Sequence, residues 1–100
     1  MYNVGDEMID CDDILSRAIS QFGKEKQVLV AVEELSELQK EILKNVNRGK
    51  DNLDHIKEEL VDVIIMIKQL VLIYGFTDED LNEVMNFKLK RLRGCLDEKV

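Results

Sequence analysis

Two short acidic clusters hold the residues most capable of chemistry in this chain. One reads Glu33-Glu34-Leu35-Ser36-Glu37 and the other Glu58-Glu59-Leu60-Val61-Asp62. Each sets two carboxylates three residues apart, Glu34 with Glu37 and Glu59 with Asp62. On a helix, that spacing stacks both groups on one side, one turn above the other. A turn signal, Asn47-Arg48-Gly49-Lys50-Asp51, lies between the clusters. Antiparallel packing of the two flanking helices would therefore bring four carboxylates to one small volume. Anions packed that closely repel one another, and a divalent cation would relieve the repulsion. Carboxylate oxygens without Cys or His suit Mg²⁺ or Mn²⁺ rather than zinc or copper. The competing reading pairs these acids with Lys or Arg, or leaves them on a solvated helix face.

The second cluster opens a segment, Leu60 to Ile73, that is apolar nearly all round. Such a helix is normally enclosed by others, so Asp62 would sit where an unpaired carboxylate is costly. His55, the single His, lies four residues before Glu59 and could hydrogen-bond to a ligand carboxylate, but a surface position in the first turn of the third helix is the expectation. One His cannot supply the two Glu-x-x-His pairs of a ferritin-like di-iron site, which excludes that chemistry.

The elements that must position these acids are helices. One hundred residues with no Pro and five Gly favour long helices and a single domain spanning 1–100. Apolar periodicity predicts four of them. The first covers about 7–22, capped by Asp6 or Asp10, with Ile9, Ile14, Leu15, Ala18, Ile19 and Phe22 on one side and Gly23 after it. The second covers about 24–47, with Val28, Ala31, Val32, Leu35, Leu38, Ile42 and Val46 in its stripe. Leu29 and Val30 fall off that stripe, which implies contact with a partner subunit. The third covers about 52–74, between Asn52 or Asp51 as cap and Gly75. Thr77-Asp78-Glu79-Asp80 is a capping-box variant opening the fourth, about 78–93, with Leu81, Val84, Met85, Leu89 and Leu92 inward and Gly94 beyond its end. The fold class is all-α, a four-helix bundle.

Composition narrows the function. A net charge of −7 argues against nucleic-acid and anionic membrane surfaces as partners. The longest apolar run stops at Lys68-Gln69, short of a membrane span, and no segment reads as a signal peptide. Cys11 and Cys95 lack metal or redox spacing and read as reduced thiols. The expectation is a soluble, cytoplasmic protein.

With these residues in place, the chain resembles the MazG-like all-α nucleoside triphosphate pyrophosphohydrolases. Their Glu-Glu-x-x-Glu and Glu-x-x-Asp halves are matched by Glu33, Glu34 and Glu37, then Glu59 and Asp62, with 21 residues between Glu37 and Glu59. The resemblance implies that Glu34, Glu37, Glu59 and Asp62 bind magnesium. Met85-Asn86-Phe87-Lys88-Leu89-Lys90-Arg91 is similar to the family's downstream Asn-x-Lys-x-x-Arg segment. It implies that Asn86, Lys88 and Arg91 contact the triphosphate; their other reading is cations near a helix C-terminus. The likeness spans about 21–93, as one copy where the family's type enzyme has two, and the Trp-free N-terminal region transfers no base preference.

The implied reaction is hydrolysis of a nucleoside or deoxynucleoside triphosphate to its monophosphate and pyrophosphate, by metal-activated water at the α-phosphorus. Glu33 and Glu58 precede the ligands and could support them or act as a base; as solvated charges they need no role. The expected partners are the nucleotide and further copies of the chain, as a homodimer or homotetramer with pockets where subunits meet. Two alternatives stand: related chemistry on dUTP, dCTP or a phosphoribosyl-ATP type of nucleotide, and a non-catalytic helical interaction module. Phe22, Tyr74, Phe76 and Phe87 could stack on a base, but core packing is the expectation.

Overall fold

The computed structural model describes residues 11–98. Four helices follow one another: α1 (Cys11–Phe22), α2 (Lys24–Arg48), α3 (Leu53–Tyr74) and α4 (Asp78–Asp97). The all-α class and the four expected helices are present. Asp6, Ile9, Asp10 and the expected first turn of α1 lie outside the described residues.

Two turns fold the chain back on itself. Gly49 adopts a left-handed backbone (φ 63°), and the next N–H, from Lys50, donates to the Lys44 carbonyl at 3.3 Å. Gly75 does the same after α3 (φ 74°), with Phe76 N–H donating to Val71 at 3.1 Å. L-residues with a Cβ rarely adopt this conformation, so glycine ends each helix where its last carbonyls need partners.

α2 and α3 form the main antiparallel pair, and α1 packs on both. The pair is fastened by polar clamps at its two ends. Gln27 Nε2 donates to Gln69 Oε1 at 2.7 Å, both side chains being buried. At the turn, Asn52 Nδ2 donates to the backbone carbonyl and to Oε1 of Glu41, each at 2.9 Å. Asn52 thus stands in the expected capping position of α3, but its side chain fastens α2 instead of capping its own helix.

The apolar core of the single chain is small. Among the described residues only Leu15, Ala31, Val63 and Met66 are buried hydrophobics. α3 is therefore not enclosed as its composition suggests: Leu60, Val61, Ile64, Ile67 and Leu72 are 37–50% exposed. α4 departs further. It turns 119° away from α3 and packs on none of the other helices. The stripe expected to face inward is exposed along its length. Gly94 does not end the helix either, because nothing beside it requires a break and α4 continues through Asp97. A radius of gyration of 16.7 Å exceeds the ~13 Å of a compact chain this long, as a projecting helix requires. No single helix among the described residues is long and apolar enough to cross a membrane.

Candidate metal centre

The antiparallel register brings three of the four expected ligands together. Glu34 on α2 and Glu59 and Asp62 on α3 each offer an oxygen within 4.8 Å of the others. Glu34 and Glu59 are half-buried and Asp62 is exposed, so the group lies at the edge of the α2–α3 seam. Asp62 does not sit in the apolar interior that its neighbours in sequence suggest, because α3 is enclosed on one side only. A shallow depression of about 320 Å³ elsewhere on α2 is lined by Lys40, Leu43, Lys44, Asn47 and Arg48, whereas the one at the cluster, about 540 Å³, is lined by Lys57, Glu58, Glu59, Val61 and Asp62.

Electrostatics mark the cluster as short of positive charge. Desolvation raises the Glu34 carboxyl above its ordinary value, and the charges of Asp62 and Glu59 add to this. A side-chain hydrogen bond with Asp62 raises it too, as expected of carboxyl groups close enough to share a proton. Glu59 is raised by desolvation first, then by Asp62, Glu37, Glu41 and Glu58. Its Oε2 is buried without a hydrogen-bond partner. A buried carboxylate oxygen of this kind ordinarily has a donor or a cation. The donor set and this orphaned oxygen fit a hard divalent cation.

Glu37 lies outside the triad and pairs with Lys40 at 3.6 Å, half-exposed, yet its charge reaches Glu59. Glu33 and Glu58 are exposed, each next in sequence to a residue of the triad. Glu41 was absent from the sequence expectation. It is held by Asn52 and by Lys44 at 3.0 Å, and these donors keep its carboxyl below the ordinary range. Its spacing could have revealed it, because Glu41 follows Glu34 by seven residues and Glu37 by four, on the same helix side. His55 is exposed and acts on Glu41 by charge, not on Glu59 by hydrogen bond.

The basic segment is not brought to the carboxylates within one chain, since α4 packs on no other helix. Its residues also divide between two sides of α4. Asn86 lines one shallow depression with Leu89, Lys90 and Arg93, while Lys88 and Arg91 line another with Leu92 and Cys95. The aromatic residues are not core residues: Phe22, Tyr74, Phe76 and Phe87 are 52–62% exposed. Tyr74 and Phe76 stand together with ring centroids 6.1 Å apart. Comparison with known proteins returned no matching family model, no matching curated protein and no matching solved structure.

Proposed function

We propose that this protein is a Mg²⁺-dependent nucleotide pyrophosphohydrolase of the MazG-like type, converting a nucleoside or deoxynucleoside triphosphate to its monophosphate and pyrophosphate. The observation that carries the reading is the convergence of Glu34, Glu59 and Asp62 around a buried, unpartnered Glu59 oxygen. These three hold the cation, and Glu37 completes the set by turning from Lys40. When bound, the cation offsets the carboxylate repulsion and stabilises charge on phosphate oxygens. In this role Glu34 would have to be ionised, against the upward shift that desolvation and the charges of Asp62 and Glu59 impose. Glu33 and Glu58 keep the exposed positions from which a carboxylate could accept a proton from incoming water. Asn86, Lys88 and Arg91 supply donors to the triphosphate, which asks that α4 meet the site from another chain or after movement.

Site variants test the reading. Glu59→Gln and Asp62→Asn are expected to lower turnover at least about a hundredfold, the scale of losing electrostatic stabilisation at a reacting phosphate, with the helical circular dichroism unchanged. Full turnover in both folded variants would remove these residues from the site. A second reading, a helical interaction module without catalysis, is favoured by the exposed stripe of α4. It predicts no nucleotide turnover in any variant.

A further inference from the structure

One face of α2 changes sign along its length. Glu34, Glu37, Glu41, Lys44 and Arg48 follow one another at alternating steps of three and four residues, the spacing of a single helical face. The first half of that face is acidic and contributes Glu34 to the triad. The second half is basic, and Lys40 joins it from three residues beyond Glu37. Two ion pairs mark the boundary: Lys40 Nζ lies 3.6 Å from Glu37, and Lys44 Nζ lies 3.0 Å from Glu41. Beyond them, Lys40, Lys44 and Arg48 line the depression of about 320 Å³ on α2. Among the described residues Arg48 belongs to no ion pair.

The two pairs differ in what holds them. Lys40 and Glu37 are both at least half-exposed, so water and salt screen their attraction. Lys44 and Glu41 are more covered, and Asn52 Nδ2 donates to the Glu41 carboxylate at 2.9 Å as well. Lys44 is therefore fixed in place, whereas Lys40 can exchange its carboxylate for another anion. Only Arg48 stands in the last turn of α2, where a cation serves the helix dipole. Lys40 and Lys44 precede that turn, and the dipole does not account for them. We infer that Lys40, Lys44 and Arg48 form an anion site on α2 that receives the outer phosphates of the nucleotide, in the same chain that holds the cation. The choice of ligand rests on the pyrophosphohydrolase reading; the cationic row does not. Seven residues, about 10 Å of helix axis, separate Glu37 from Lys44, a span that a lysine side chain and a phosphate chain cover together. A cation that draws Glu37 away from Lys40 leaves that ammonium beside the arriving phosphates. Charge-assisted hydrogen bonds from ammonium and guanidinium groups to phosphate oxygens are short and strong.

Titration of the intact ¹⁵N-labelled protein with inorganic pyrophosphate in chelator, followed by NMR, tests it. Saturable shifts are expected over residues 40–48. Lys40→Gln with Arg48→Gln, both exposed positions, is expected to weaken binding about tenfold or more with the helical circular dichroism unchanged. The absence of saturable shifts over 40–48, or shifts confined to 86–93 on α4, overturns the inference, and the wild type decides this even if the variant does not fold. An unchanged dissociation constant in the folded variant overturns it too. Nucleotide turnover separates the site from the reaction. Pyrophosphate bound at 40–48 with no nucleotide hydrolysed keeps the anion site and overturns the hydrolase reading. Mg²⁺-dependent hydrolysis with kcat and KM unchanged in the double variant keeps that reading and overturns the site.

Discussion

A carboxylate can be stabilised by water, by a donor or by a cation, and the acids along this hairpin differ in which they have. Glu41 has donors, from Asn52 and Lys44. Asp62 has water. Glu59 Oε2 is buried without a partner, and this asymmetry is the ground for the cation proposed at Glu34, Glu59 and Asp62. Two predictions follow at this scale. Mg²⁺ at millimolar concentration should raise the melting temperature, because it binds the folded arrangement alone. Glu59→Gln should abolish that rise, while Glu37→Gln, already paired with Lys40, should only reduce it; equal loss in both would place Glu37 among the first ligands.

The second prediction concerns pH. Glu34 and Glu59 have raised folded values, so their contribution to stability is full below the unfolded value and is lost as pH rises through the folded one. Glu41 and Asp80 are lowered, so theirs is present above the unfolded values and is lost as pH falls through the folded ones. Chelator-treated protein should therefore lose stability as pH rises above the ordinary carboxylate range through the raised values of Glu34 and Glu59. Mg²⁺ should flatten that decline. A melting temperature that rises steadily from pH ~5 to ~7.5 in chelator would contradict the charge account.

At the scale of elements, the two ends of the turn region behave differently. Asn52 is 2% exposed and gives two hydrogen bonds to Glu41. Asn52→Ala should cost about 1–3 kcal/mol by leaving those acceptors without their donor, or roughly 4–8 °C in melting temperature per kcal/mol. A change below 2 °C, estimated on the same scale, would mean that the clamp does not hold the hairpin. Thr77 caps α4 through its side chain, with Asp80 Oδ2 accepting from the Thr77 N–H at 3.0 Å in return. Thr77→Ala costs about 1 kcal/mol of helix stability. Because α4 packs on none of the other described helices, the loss should appear as reduced helicity and faster amide exchange over 78–84, with the melting midpoint of α1–α3 unmoved. A large midpoint shift would show that α4 is packed.

Local signals made most of these elements legible. The glycines after α1, α2 and α3, the Thr77 capping box and the apolar stripes locate the helices to within a few residues. Gly94 misled because glycine within an exposed helix costs only about 1 kcal/mol and need not end it. Spacing also put Glu34 and Glu37 on one side of α2 and Glu59 and Asp62 on one side of α3, and three of these four meet in the antiparallel register the chain adopts. The Asn52–Glu41 clamp was not legible, because it depends on register between helices and not on spacing within one. Nor was the exposure of α3 and α4, because hydrophobicity says that a face will be covered without saying by what.

On the scale of the whole molecule, the described residues bury only four hydrophobic side chains, which makes a thin core. α4 carries Lys88 and Arg91 away from its own cluster, so a complete nucleotide site needs α4 from elsewhere or a change in its angle. Mixing Asp62→Asn with Arg91→Ala tests the first route. Two inactive proteins should regain activity together if α4 acts across chains, and should stay inactive if each site is built from one chain.

The most direct test of the central claim is ³¹P NMR of a panel of ribo- and deoxyribonucleoside triphosphates incubated with the wild-type protein, with Mg²⁺ and with chelator. Monophosphate and pyrophosphate appearing together, only with Mg²⁺ and for at least one nucleotide, is the predicted result. An unchanged panel, in protein whose melting temperature Mg²⁺ also leaves unmoved, would contradict the account.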